Sequence, residues 1–293
     1  MENNRRKVLK KIAGSTAMLT ATGAIFNRLD AAERAMAPEV KGNVNHSVCK
    51  WCYGDIPLEE LCKASEKLGL SSIELLGPKD WPTLKKYGLT CAMGNGAEIG
   101  LTQGWNHTEY HEQLIKNYTE AIPLAAKAGI KNIICFSGNR NGMDDETGMI
   151  NCAKGLRKIM SQAEKNGVTI VMELLNSKVN HKDYQCDHTA WGAALCEMVG
   201  SDNFKLLYDI YHMQIMEGDV IATINKYHPY IAHYHTGGVP GRNEIDESQE
   251  LYYPAIMKAI TETGFKGFVA QEFIPKREDK LASLKQGIEI CDV

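Results

Sequence analysis

Four short apolar runs in the second half of the 293-residue chain each carry a carboxylate or an imidazole near their end. They read Val171-Met172-Glu173-Leu174-Leu175, Leu207-Tyr208-Asp209-Ile210, Ala232-His233-Tyr234-His235-Thr236 and Val269-Ala270-Gln271-Glu272-Phe273. An isolated carboxylate in apolar surroundings is costly to keep ionised, so each needs a partner. One such residue alone reads as a satisfied core polar group or a helix cap. Four in succession, at equivalent ends of consecutive runs, point to a shared partner. Glu173, Asp209, His235 and Glu272 together suit one divalent ion, Mn²⁺ or Mg²⁺ first, with Co²⁺ or Zn²⁺ as alternatives.

Other polar residues cluster beside these runs. Arg242 sits in the Gly/Pro-rich stretch Gly237-Gly238-Val239-Pro240-Gly241-Arg242, where it is either a solvated loop arginine or a fork for a carboxylate or hydroxyls. His212 lies three residues beyond Asp209, close enough in sequence to share a substrate with it. Asn176 and His181 follow the Glu173 run, and Trp51 follows an earlier one; each is a candidate substrate contact. For Asn176 the alternative is a turn cap, for His181 solvent exposure and for Trp51 core packing. Residues 94–107, with Gly96, Gly100 and Gly104, form a long loop that can serve as a lid. Met143-Asp144-Asp145-Glu146 reads as an acidic helix N-terminus.

Eight short strands must position the chemistry. They are expected at 47–51, 72–76, 90–93, 132–136, 169–174, 205–210, 231–235 and 267–272, mostly as continuous apolar runs, as strands buried on both faces should be. Amphipathic stretches alternate with them at 58–68, 79–87, 110–128, 148–166, 190–199, 220–226, 253–263 and 280–290. Several stop at a glycine that introduces the next strand, as at Gly129 and Gly167. This alternation predicts βα units around a parallel sheet, a single (β/α)₈ TIM barrel over residues 38–293. An open doubly wound sheet fits less well, because no glycine-rich phosphate turn follows the first strand.

Residues 45–293 resemble the xylose-isomerase-like barrels, particularly their hydroxypyruvate isomerase branch and the related ketose 3-epimerases. The resemblance rests on Glu173-Leu174-Leu175-Asn176, on Asp209-Ile210-Tyr211-His212, on His235 followed by Val239-Pro240-Gly241-Arg242-Asn243-Glu244, on Gln271-Glu272, and on the segment 134–140. It implies that Glu173, Asp209, His235 and Glu272 hold the metal. It also implies that Glu173 and Glu272 move protons on opposite faces of the substrate, and that His212 and Arg242 hold substrate oxygens. The hydroxypyruvate branch carries glutamine where this chain has His235, and the epimerase branch carries histidine. The expected activity is an aldose–ketose isomerisation of a small keto sugar or hydroxy/keto acid through an enediolate. Ketose 3-epimerisation and keto-sugar dehydration or lysis use the same site. An endonuclease-IV-like repair enzyme and a non-catalytic sugar-binding protein are the readings from other classes. Barrels of this kind often pair as homodimers.

Residues 1–37 read differently from the rest. Asn4-Arg5-Arg6-Lys7 opens a basic patch, and an uncharged stretch over 12–26 follows that is shorter than the ~20 apolar residues needed to span a bilayer. This is the pattern of a twin-arginine export signal, with Ala35-Met36-Ala37 as a small-x-small site, and it predicts a periplasmic protein with no stable membrane insertion after processing. The chain has 33 basic and 36 acidic residues; setting aside the seven and three in positions 1–37 leaves 26 and 33, a formal charge of −7. So acidic a body has no general attraction for nucleic acid. The nine cysteines are scattered, only Cys49 and Cys52 have a motif spacing, and buried free thiols are expected.

Overall fold

A computed structural model describes residues 41–293; the export segment expected at 1–37 lies outside the described residues. Seven parallel strands form the sheet: β1 (Asn45–Cys49), β2 (Ser72–Glu74), β3 (Asn132–Cys135), β4 (Thr169–Glu173), β5 (Phe204–Asp209), β6 (Ile231–Thr236) and β7 (Phe268–Gln271). Their order is β2-β1-β7-β6-β5-β4-β3. All pairings are parallel, and nearly every strand residue is buried. The helices are α1 (Leu58–Lys67), α2 (Trp81–Lys86), α3 (His111–Ala128), α4 (Asp145–Asn166), α5 (Thr189–Val199), α6 (Ile210–Met216), α7 (Val220–Tyr227), α8 (Tyr253–Glu262) and α9 (Lys280–Cys291). Gly129 and Gly167 end α3 and α4 in the left-handed conformation that a side chain would penalise. Asp144 caps α4 by accepting from the Thr147 N–H at 2.8 Å, as its acidic start predicted.

The strand expected at 90–93 is not a regular strand, and this corrects the count of eight to seven. The segment nonetheless fills the gap between β2 and β3. Thr90 and Gly94 make single parallel bridges to Ser72 and Leu76, and Gly94 makes another to Ile133. Side chains take over where ladder bonds are missing: the Ala92 N–H donates to Ser72 Oγ at 2.8 Å, and Asn132 Nδ2 donates to the Ala92 carbonyl at 3.0 Å. The barrel closes through these bonds. A second difference is α6, which begins directly at the end of β5, so that Asp209 is both the last strand residue and the helix N-cap.

The register also serves the site. Between β5 and β6 it shifts by one residue, so that Leu206 pairs with Ile231 but Leu207 pairs with His233. Ala232 is left over, and Asp209 comes to lie opposite His235 instead of Tyr234. Strand partners share a face, so the shift puts carboxylate and imidazole on the same side.

The loop at 94–107 is tied down along its second half. Asn139 N–H donates to the Thr102 carbonyl at 3.0 Å, Trp105 N–H to Phe136 at 3.2 Å and Asn106 N–H to Ser137 at 2.8 Å. Trp105 is fully buried against Tyr118, with ring centroids 5.4 Å apart. The first half is held too, by the Asn95 N–H on the Leu76 carbonyl at 3.2 Å and by Asn117 Nδ2 on the Ala97 carbonyl at 3.0 Å, so the loop expected as a lid is anchored at both ends. A Cβ on Gly104 would overlap the Ser137 carbonyl carbon and the Gly138 nitrogen, both backbone. Gly104→Ala is therefore expected to cost about 1–3 kcal/mol by overpacking, read as a lower midpoint in denaturant unfolding.

All nine cysteines are buried free thiols, including Cys49 and Cys52. Burial raises the thiols of Cys49, Cys52, Cys135 and Cys186 well above the ordinary range, which removes reactive thiolate. Native protein is expected to react with an aromatic disulfide reagent at far less than one thiol per chain, and at nine once denatured. Fast labelling of the native protein would contradict this packing. Among the described residues no helix is long and apolar enough to cross a membrane.

Candidate active site

Four side chains meet at the C-terminal end of the barrel. Glu173 ends β4, Asp209 ends β5, His235 lies near the end of β6 and Glu272 follows β7 directly. One ligand atom from each falls within 4.8 Å of all the others, and all four residues are buried. His235 Nδ1 stands 2.7 Å from Glu272 Oε2 and 3.5 Å from Glu173 Oε1. Glu173 Oε1 has no hydrogen-bond partner, a buried acceptor left open beside two other carboxylates.

Arg242 lies among them. Its Nη2 donates to Asp209 Oδ2 at 3.0 Å and to Glu272 Oε2. Its guanidinium is sandwiched between Trp51 and Tyr211, 5.2 and 5.4 Å from their ring centroids. The backbone is held in the left-handed region at φ +59°, with the Arg242 N–H on the Gly238 carbonyl at 2.8 Å and its own carbonyl accepting from Ile274 at 2.6 Å. A non-glycine residue keeps that conformation only where its surroundings over-determine it. Trp51, 45% exposed at the mouth, also donates its indole N–H to Glu272 Oε1 at 2.8 Å.

The remaining expected residues divide into those at the cavity and those beneath it. His181 lines the cavity and packs on His212, ring centroids 5.2 Å apart. His212 is fully buried. Its Nδ1 accepts from the Asn176 backbone N–H at 3.1 Å, which leaves the neutral ring's proton on Nε2, 3.5 Å from Asp209 Oδ2. Asn176 is fully buried too. Its Nδ2 lies 2.6 Å from His212 Nδ1, while its Oδ1 caps the turn by accepting from Val179 and Asn180 at 3.0 and 2.9 Å. Asn176 thus orients His212 and closes a turn, one layer below the cavity.

The electrostatics follow from burial. Burial raises Glu173, with nearby His235 opposing the shift and the Glu272 charge adding to it. Burial likewise pushes Asp209 up, against Arg242. Burial also works against the charge on Glu272, but Arg242 and His235 overcome it and hold Glu272 well below the carboxylate range. Burial and the Arg242 charge keep His212 neutral. Three buried carboxylates and one imidazole converge here, and the orphan Glu173 oxygen faces the same space. This donor set fits a hard or borderline divalent cation.

Sequence reasoning missed three participants. Glu74, at the end of β2, is fully buried, with Oε1 2.7 Å from His233 Nε2 and 2.9 Å from His235 Nε2. Burial opposes its charge, yet the two histidines bring it down to about 2. Its signal was the same as that of the other four, a carboxylate inside an apolar run, Ser72-Ile73-Glu74-Leu75-Leu76. Tyr211 and Cys49 are the others, the latter with Sγ 3.8 Å from His235 Nε2. Above the cluster is a cavity of about 440 Å³. Leu75, Leu101, Ile134, Phe136 and Leu175 form its apolar walls, and Glu173, Glu272, Arg242 and His181 its polar side. Its size is in the range of small-molecule sites.

A barrel with convergent ligands at its C-terminal mouth defines the class, and comparison with known proteins agrees with it. Residues 81–292 match the model of the xylose isomerase-like TIM barrel family, and the chain belongs to that family. It is 26% identical over 226 residues to a Homo sapiens protein carrying the name of a hydroxypyruvate isomerase, covering 77% of this chain and 78% of that one. It is 24% identical over 250 residues to the 2-oxo-tetronate isomerase of Pectobacterium atrosepticum, covering 81% and 95%. Among solved structures, an AP endonuclease of family 2 from Brucella melitensis superposes with a TM-score of 0.73 at 22% identity, covering 82% and 96%, a likeness of fold. The chain is an enzyme of the isomerase/epimerase type.

Proposed function

We propose that the chain is a divalent-metal-dependent isomerase of a small 2-oxo acid or keto sugar, with Glu173 and Glu272 as its proton-transfer pair. The observation that carries this reading is the convergence of Glu173, Asp209, His235 and Glu272 within 4.8 Å of one another, with Glu173 and Glu272 lining the cavity. The names of the two relatives favour a 2-oxo acid bearing a neighbouring hydroxyl. The four residues would hold the ion, which when bound supplies Lewis-acid polarisation of a carbonyl, worth several kcal/mol. Manganese or magnesium suits the carboxylate-rich set.

The chain's own groups do the rest. One of the two glutamates removes a proton from the carbon bearing the hydroxyl next to the carbonyl, giving an enediolate. The other glutamate returns a proton to the former carbonyl carbon, the hydroxyl proton passes to the former carbonyl oxygen, and the hydroxyl and carbonyl exchange places. A positioned carboxylate of this kind contributes roughly 10²–10⁴-fold. Arg242 offers its fork to a substrate carboxylate or hydroxyl. His212, neutral and held by Asn176, presents an N–H toward Asp209 and the reacting region.

A ketose 3-epimerase is the second reading. It is favoured by His235 and by a cavity of about 440 Å³, much roomier than a three-carbon acid requires. It uses the same two glutamates, the proton returning to the same carbon from the opposite face. The net charge of −7 over residues 38–293, with carboxylates at the barrel mouth, favours either over a phosphodiester substrate. The basic Arg5-Arg6 segment supports export to the periplasm. The test is a product assay with Mn²⁺, against a chelated control, on hydroxypyruvate, 2-oxo-tetronate and a set of ketoses. Carbonyl migration supports the isomerase, a stereochemical inversion supports the epimerase, and inertness toward every substrate contradicts both.

A further inference from the structure

Glu74 takes no part in the chemistry above, yet its carboxylate has no solvent contact and is held by two buried imidazoles. In the sheet order β2 is separated from β6 by β1 and β7, so Glu74 reaches His233 and His235 across the barrel interior. The two imidazoles stand at i and i+2 on β6 and point to the same face. Both present Nε2 to one oxygen, Glu74 Oε1, at 2.7 and 2.9 Å. His235 thus has one nitrogen on each of two clusters: Nε2 on Glu74, and Nδ1 toward Glu272 and Glu173 at 2.7 and 3.5 Å.

We propose that Glu74 is a positioning residue for the metal centre. It accepts the His235 Nε2–H, which fixes the ring's orientation and leaves Nδ1 as the atom that faces the ion, while His233 donates to the same Glu74 oxygen and helps to hold it in place. The proposal rests on the reading of His235 as a ligand given under Proposed function. A histidine ligand left without such a partner can turn its ring over and exchange its nitrogens; a carboxylate on the far nitrogen removes that freedom and makes the near one a better donor. The residue after Glu74 reinforces the placement. Leu75 is held in the left-handed region at φ +57°, with its N–H on the Met93 carbonyl at 2.8 Å, so β2 ends abruptly at the carboxylate.

The competing arrangement is a second ion between Cys49, Glu74 and His235, whose ligand atoms also lie within 4.8 Å of one another. Here Glu74 Oε1 is taken up by hydrogen bonds from two imidazoles, His233 Nε2 at 2.7 Å and His235 Nε2 at 2.9 Å, and His233 is not among those three ligands.

The test is metal titration of the chelator-stripped full chain, with ion count and Kd read by calorimetry. The comparison is between wild type, Glu74→Gln, which keeps the shape without the charge, and Glu74→Asp, which keeps the charge. Wild type is expected to bind one Mn²⁺ per chain, Glu74→Gln to bind it about 10–100-fold more weakly, and Glu74→Asp to recover part of the loss. Nitrogen-15 spectra of histidine-labelled, Zn²⁺-loaded wild type should show His235 with a protonated Nε2 and a coordinated Nδ1; this readout needs no variant to fold. A Kd for Glu74→Gln within twofold of wild type overturns the proposal. So does a coordinated Nε2, or a second ion per chain with thiolate-to-Co²⁺ absorption from Cys49. Failure of the underlying metal reading looks different: wild type and Glu173→Ala would bind Mn²⁺ equally weakly, and both ideas would fall together.

Discussion

Glu173→Gln and Glu272→Gln are each expected to lower kcat by at least about 10²-fold, and up to about 10⁴-fold, with KM changed far less. Glutamine fills the same space and still offers an oxygen, so the loss isolates proton transfer from packing. Each glutamate handles a proton that the other cannot reach, so the double variant should be scarcely worse than the poorer single one. Steady-state kinetics at saturating Mn²⁺ checks this. Near-wild-type turnover in either variant would remove that residue from the proton path. Glu272 also accepts from Trp51 Nε1 at 2.8 Å and touches Arg242, so its variant should in addition show a modest rise in KM.

Arg242→Met should cost the metal-free protein about 3–5 kcal/mol, the penalty for stranding buried carboxylates whose countercharge has been removed. For a domain of this size that is a fall of about 10 °C in Tm. The effect arises because Asp209 is fully buried and nearly all of Glu272 is too, while Arg242 pairs with both. Mn²⁺ should restore much of the difference, since a ligand at 100 times its Kd stabilises the folded state by about 2.7 kcal/mol. The pH dependence has a definite sign. Arg242, with His235, holds Glu272 below its ordinary value despite burial. A carboxylate with a depressed folded pKa contributes stability above its unfolded pKa and loses it as pH falls through the folded one. The gap between wild type and Arg242→Met should therefore be widest near neutrality and shrink in acid. Scanning calorimetry with and without Mn²⁺ across that range checks it, and a variant as stable as wild type without metal would contradict the charge balance described for the site.

The four central side chains were legible because strands buried on both faces read as unbroken apolar runs, and a charged residue inside one stands out. Glu74 has the same signature, but its partners lie on β6, three strands away around the barrel, and only closure brings them together. The strand expected at 90–93 failed as a regular strand because Ser72 Oγ and Asn132 Nδ2 satisfy backbone groups that a ladder would have paired. Periodicity carries no trace of such substitutions. Helix α6 was hidden because its cap, Asp209, also closes the apolar run of β5. Asn176 shows the same limit at single-residue scale: its place after β4 was readable, but its contact with His212 depends on the fold of two loops.

The central claim is that two carboxylates at one metal site exchange a substrate carbon-bound proton. Incubating the Mn²⁺-loaded protein with hydroxypyruvate and a ketose panel in D₂O, followed by proton NMR, tests it most directly. The account predicts deuterium at the carbon next to the carbonyl of at least one substrate, abolished by chelation and by Glu173→Gln or Glu272→Gln. A product that retains its original hydrogen throughout, or exchange that survives both substitutions, would contradict it.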